Sequence, residues 1–159
     1  MSAILRISGT NLNVEACAKA TTLPVEYVYQ RGKLIYPASK LLKKRYRLSG
    51  LNIQLTANHG LDAKLYALVR CAQKVIKRHR DELQRLRKFP GVQYARLDFG
   101  ISELDVAGQF EYIPHEFLLE LGRLKIDLEI SIYHAFRRTK KIAPNKSLKR
   151  TRQSAAPLS

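Results

Sequence analysis

Apolar residues fall along this chain in two rhythms, and the switches between them mark out its elements. Ala3 to Ser8 reads as a strand ending in Gly9. Ile126, Leu128, Ile130 and Ile132 alternate with Asp127, Glu129, Ser131 and Tyr133, the period-two pattern of a half-buried strand. Between these ends the spacing changes to threes and fours. Leu61, Leu65, Leu68, Ala72, Val75, Ile76, His79, Leu83 and Leu86 form one stripe, with Arg70, Lys74, Lys77, Asp81, Arg85 and Lys88 opposite it. That spacing predicts one long amphipathic helix from Gly60 to Phe89, roughly 40 Å at about 1.5 Å per residue. Pro90-Gly91 ends it, and Arg85, Arg87 and Lys88 suit the negative end of its dipole.

Shorter elements fill the gaps. Asn13 is a predicted N-cap, with Leu12 placed to staple Cys17, and the short helix that follows stops before Leu23-Pro24. From Val25 to Thr56 four runs look strand-like: Tyr27-Val28-Tyr29, Leu34-Ile35-Tyr36, Tyr46-Arg47-Leu48 and Leu51 to Leu55. Gly32, Pro37 and Ser49-Gly50 punctuate them as turns or bends. A further strand spans Val92 to Ile101, with Gln93, Ala95, Leu97, Phe99 and Ile101 on one face and Val92, Tyr94, Arg96 and Asp98 on the other. Phe110-Glu111-Tyr112 reads as a short edge strand. Pro114 then opens a helix whose buried side is Phe117, Leu118, Leu121 and Leu124.

Strands and helices interleaved with hairpin turns predict an α+β domain: a single mixed, mostly antiparallel sheet carrying its helices on one face. Strand-helix units at the two ends hint at a ferredoxin-like duplication. The predicted domain spans residues 3–136, and residues 137–159 read as a disordered basic tail.

Composition sharpens this picture. A chain of 159 residues with 45% hydrophobic and 26% charged residues suits one soluble domain with a real core. No secretory signal is visible in Met1 to Arg6, and no apolar run is long enough for a membrane span. Cys17 and Cys71 read as reduced core thiols, so a cytoplasmic location is expected. The net charge of +16 divides in half. From Arg137 onward there are eight basic residues and no acid, which leaves 21 basic against 13 acidic residues in the body. With prolines, serines and few apolar residues, that tail has too little surface to bury to offset its ordering entropy. Residues 144–159 resemble the translated end of a dispersed bacterial repeat element. On that reading the basicity reflects read-through, and the alternative is a nucleic-acid-binding arm.

The body resembles the bacterial domain-of-unknown-function family 4279. The resemblance is carried by Leu5-Arg6-Ile7-Ser8-Gly9 with Leu12, by Gly32 after a basic residue, and by Leu61-Asp62 with Leu65 and Leu68. It is carried also by Leu121-Gly122 and the run Ile126 to Tyr133. It reaches Phe136 and omits the tail. The family often has tryptophan where this chain has Tyr46, and an acid where it has Ser131. The resemblance implies no catalytic residue.

Candidate chemistry is sparse. Asp98, Asp127 and Glu129 are placed to share the outward face of the sheet, where paired carboxylates serve acid-base work, a cation, or cross-strand pairing with Arg6 and Arg96. The four histidines are scattered without metal-ligand spacing, and no nucleophile elbow or phosphate-binding glycine loop occurs, so no catalytic residue, metal or cofactor is assigned. Lys40, Lys43, Lys44, Arg45 and Arg47, joined by Lys74 and Lys77 of the long helix, form a candidate nucleic-acid surface, with Tyr27, Tyr29, Tyr36 and Tyr46 interleaved. The leading expectation is a non-catalytic interaction module for a protein partner, in an immunity- or antitoxin-like role. Nucleic-acid binding and an enzyme with an unrecognised site are the alternatives. Oligomeric state is left open.

Overall fold

The computed structural model describes residues 2–39, 41–56, 65–103, 107 and 109–133. Strand β1 (Ser2–Gly9) leads into helix α1 (Val14–Lys19), whose cap forms as the sequence requires, with Asn13 accepting from the Ala16 N–H. Strands β2 (Val25–Tyr29) and β3 (Ser49–Gln54) follow, then helices α2 (Leu65–Arg78) and α3 (Arg80–Arg87). Strand β4 (Tyr94–Ser102), helix α4 (His115–Leu124) and strand β5 (Asp127–Tyr133) complete the order. The five strands form one mixed sheet in the order β2-β3-β1-β4-β5. Its first three neighbouring pairs are antiparallel, and β5, joined to β4 through α4, runs parallel to it. Within β2-β3-β1-β4, β3 separates β1 from β2 and β1 separates β3 from β4. These are two interlocked split βαβ units, the ferredoxin-like arrangement.

Alternation decides which side is covered. Ala3, Leu5 and Ile7 of β1, Leu51 and Ile53 of β3, and Ala95, Leu97, Phe99 and Ile101 of β4 are buried. They meet Cys17 of α1, Leu65, Leu68, Val69, Ala72 and Ile76 of α2, Leu83 and Leu86 of α3, and Phe117, Leu121 and Leu124 of α4 in a single core. The helices lie on this one face, as the pattern predicts.

The predicted long helix is divided at His79, whose backbone departs from helical values at φ −109° and ψ 24°. Hydrogen bonds from His79 N–H to the Val75 carbonyl and from Leu83 N–H to the His79 carbonyl, each 2.9 Å, flank the break. The break aims two stripes at different targets: α2 contacts β1 and β4, and α3 contacts α4. Glu82 holds it there. It accepts from the Thr21 hydroxyl at 2.7 Å, from the Thr22 N–H at 2.5 Å and hydroxyl at 2.9 Å, and contacts His79 Nδ1 at 3.0 Å.

Other expectations shift. Leu34-Ile35-Tyr36 and Tyr46-Arg47-Leu48 are not strands, and Leu34 and Arg45 form only an isolated bridge. Ser49-Gly50 opens β3 instead of making a turn, while Gly32 is a true turn at φ +82°. Phe110 to Tyr112 forms no strand, and Leu118 is 45% exposed on the outer side of α4. In β5 burial fades along the chain, from Leu128 packed on the core to Ile132 at 60% exposure. Lys40, the expected helix start at residues 60–64, and residues 134–159 with the basic tail lie outside the described residues.

Candidate functional site

Residues facing each other across neighbouring strands point to the same side of a sheet, so the register identifies what stands on the face that carries no helix. Arg6 lies opposite Arg96, Ser8 opposite both Tyr94 and Gly50, and Gly50 opposite Tyr29. Further out, Arg96 pairs with Asp127 and Asp98 with Glu129. Two guanidinium groups placed directly opposite each other would repel, and acids offset them. Asp98, only 2% exposed, bonds Arg6 through Oδ2 and accepts from the Ser131 hydroxyl through Oδ1 at 2.8 Å. Glu129 takes Arg96 Nη1 at 2.9 Å and lies 3.8 Å from Arg6 Nη1. The Glu129 hydrogen bond and charge raise the Arg96 guanidinium above its ordinary range. The carboxylates expected at Asp98 and Glu129 thus share one face with their cationic partners. Asp127 joins them there by register, opposite Arg96. Among the described residues no group of three or more His, Cys, Asp and Glu side chains is placed to hold a metal ion.

Beside this network the face opens into a pocket of about 490 Å³ lined by Arg6, Ser8, Tyr29, Arg47, Leu48, Tyr94 and Arg96. Three cations, three hydroxyls and one aliphatic side chain make up its described wall, with no carboxylate, imidazole or thiol. Each element contributes through its alternation: Arg6 and Ser8 from β1, Tyr94 and Arg96 from β4, Tyr29 from β2. Arg47 comes from the segment leading into β3. The Tyr29 phenol crosses over Gly50, where an added Cβ would meet its oxygen at 2.5 Å. Burial pushes its pKa up, against the pull of the Ser8 hydroxyl and the Arg6 charge, so it remains a neutral donor.

Tyr29 belongs to an aromatic row. Its ring stacks on Tyr46 at 4.6 Å and on Tyr27 at 6.2 Å between centroids, and the Tyr27 and Tyr46 hydroxyls are 3.1 Å apart. That hydrogen bond, with some burial, pushes Tyr46 up to about 12. The expected tyrosine cluster exists, but three of its members stack on one another. Tyr36 is half-exposed.

The candidate basic surface is divided by the fold. Arg47 alone among the described residues of that set lines the pocket. Lys43, Lys44 and Arg45 are exposed on the connection between β2 and β3, where Arg45 Nη1 donates to the Gly32 carbonyl and the Lys44 carbonyl accepts from Ile35 N–H. Lys74 and Lys77 are exposed on α2, on the helix-bearing side of the sheet, so they share no surface with Arg47. Arg6, Ser8, Tyr94 and Arg96 were not assigned to this site from the sequence. Their polar alternation was visible, but only the strand order and register bring them together.

A second basic pocket, about 310 Å³, lies where α3 and α4 end, between Arg87, Lys88, Arg123 and Lys125. Arg87 Nε donates to the Lys125 carbonyl at 3.1 Å, and both helices point their negative ends here, so these cations complement dipoles. Among the described residues no helix is long and apolar enough to cross a membrane. No protein-family model, curated protein or solved structure matches this chain.

Proposed function

We propose that this protein is a non-catalytic interaction module whose working surface is the open face of the sheet, where Arg6, Arg47 and Arg96 receive an anionic group of a partner macromolecule. One observation carries the reading: three arginines from three separate segments converge on a pocket whose described wall holds no acid. Asp98 bonds Arg6 through one terminal nitrogen and Glu129 bonds Arg96 through one, and a guanidinium carries five donors, so each arginine keeps others for a ligand. Hydroxyls without a neighbouring base fit binding better than nucleophilic chemistry. A cytoplasmic setting suits the free thiols of Cys17 and Cys71. Membership of family 4279 belongs to the same proposal and rests on the residues quoted above.

A protein partner presenting an acidic segment, in an immunity- or antitoxin-like role, is one form of this module. The support for it is that Arg6 and Arg96 already hold carboxylates on this face. The test is a titration of inorganic pyrophosphate into the isotope-labelled full chain, followed by NMR. Amide shifts are expected at Ser8, Arg47 and Tyr94, lost in Arg47→Ala. Shifts confined to α2, or spread evenly over the basic residues, overturn the reading.

A further inference from the structure

We propose that the open face binds single-stranded nucleic acid, with a backbone phosphate among Arg6, Arg47 and Arg96 and the adjoining unpaired base laid against Tyr94. The proposal rests on the reading of the pocket as an anion site and names its ligand. Its independent support is aromatic. Tyr94 stands on the pocket wall with 49% of its surface exposed, and its ring stacks on no other ring among the described residues. A base supplies the missing face, since stacking on an aromatic side chain is worth about 1–3 kcal/mol and tolerates any base. Tyr27, Tyr29 and Tyr46 form a second, preassembled aromatic wall on the β2 side.

Charge sets the direction of the strand. On the β4–β5 side of the same face Asp98 and Glu129 already occupy Arg6 and Arg96, and Asp127 adds a further negative charge, so the chain leaves the pocket across β1 and β3 toward the tyrosine row. Arg47 is exposed and makes no ion pair among the described residues, which leaves its whole fork for the ligand. A volume of about 490 Å³ falls in the range of sites that take one small ligand, here one nucleotide. A duplex offers phosphates but keeps its bases stacked inward, so it satisfies half of this surface. An acidic peptide satisfies the arginines and leaves Tyr94 bare.

The test uses the full chain and fluorescence anisotropy with labelled oligonucleotides of about ten residues, a length within the usual single-strand site size. Single-stranded RNA, single-stranded DNA, a duplex and an acidic peptide are compared. Single strands are expected to bind best, and the RNA and DNA arms show whether the 2′-hydroxyl is read. Arg47→Ala is expected to weaken single-strand binding about tenfold and to lower the salt slope by about one. Tyr94→Ala is expected to weaken it about tenfold while Tyr94→Phe does not. The double variant Lys74→Ala, Lys77→Ala removes two charges from the opposite side and is expected to leave binding within twofold. Equal affinity for the duplex, indifference to Tyr94→Ala, or equal loss in the lysine variant overturns the proposal. If the acidic peptide alone binds and Arg47→Ala abolishes it, the nucleic-acid inference falls and the interaction module stands. If nothing binds through Arg47, both fall.

Discussion

At the scale of single residues, two positions carry more of the fold than their chemistry announces. Gly9 ends β1 where the chain passes against Gly91: a Cβ added to Gly9 would lie 1.8 Å from the Gly91 carbonyl oxygen, and Gly91 itself sits at φ +86°. Backbone, not a flexible side chain, blocks the space. Gly9→Ala is therefore expected to cost at least the 1–3 kcal/mol typical of overpacking, measured as a lower urea midpoint with unchanged slope. Glu82 is the second. Burial pushes its carboxyl up, but hydrogen bonds from Thr21, the Thr22 N–H, His79 and the Thr22 hydroxyl outweigh burial and hold it down to about 2. A carboxyl depressed below its ordinary value stabilises the fold above the unfolded value, and that stability is lost as pH falls through the folded one. Wild-type stability is thus expected to decline between about pH 4.5 and pH 2, and Glu82→Gln to flatten that decline. At neutral pH the same variant should cost on the order of 2 kcal/mol, after allowance for solvent screening. A variant whose acid titration overlays the wild type would remove Glu82 from this role.

At the scale of elements, periodicity was a good guide to type and a poor one to extent. The stripe Ile76, His79, Leu83, Leu86 continues in threes and fours straight through the junction of α2 and α3, so nothing local announces the break. What sets it is tertiary: Glu82 reaches Thr21 and Thr22, about sixty positions away in sequence. The strand-like run Leu34 to Tyr36 failed for the converse reason. Its composition suits a sheet, but the bridge it forms, Leu34 with Arg45, lies within its own connection, and an isolated bridge does not extend the sheet. The strand β5 was legible from alternation alone, yet alternation cannot tell how far the helices reach across it. Leu128 packs on the core, whereas Ile132 is 60% exposed. Leu128→Thr is accordingly expected to destabilise by about 1–2 kcal/mol and Ile132→Thr by less than about 0.5 kcal/mol, read from paired denaturation curves. Equal costs would mean that the outer half of β5 is covered in solution.

At the scale of the whole molecule, one sheet separates two jobs. Its helix-bearing face closes a core whose members, among the described residues, fall between Ala3 and Leu128. Its open face gathers charge whose arrangement depends on register and on nothing local. Arg6 and Arg96 are ninety residues apart, and only the β1–β4 pairing makes them neighbours. The pocket was therefore beyond the reach of sequence reasoning, which grouped basic residues by their spacing along the chain and so combined Arg47 with Lys74 and Lys77, across the sheet from it. The same separation bears on residues 137–159, which hold eight of the 29 basic residues and half of the net charge. Since their composition offers too little apolar surface to add to a core, deleting residues 137–159 is expected to leave the melting temperature within about 2 °C, a shift corresponding to a fraction of a kcal/mol for a domain of this size. The deletion should weaken background attraction to any polyanion and reduce the salt dependence, because phosphate contacts by scattered lysines and arginines are independent of sequence. The fold-loss caused by Arg47→Ala and Tyr94→Ala should be the same in the full and shortened chains, because those side chains act within the pocket. A lower melting temperature on deletion would show that the fold depends on the tail. Disappearance of the Arg47 and Tyr94 effects would show that the tail, and not the open face of the sheet, does the binding.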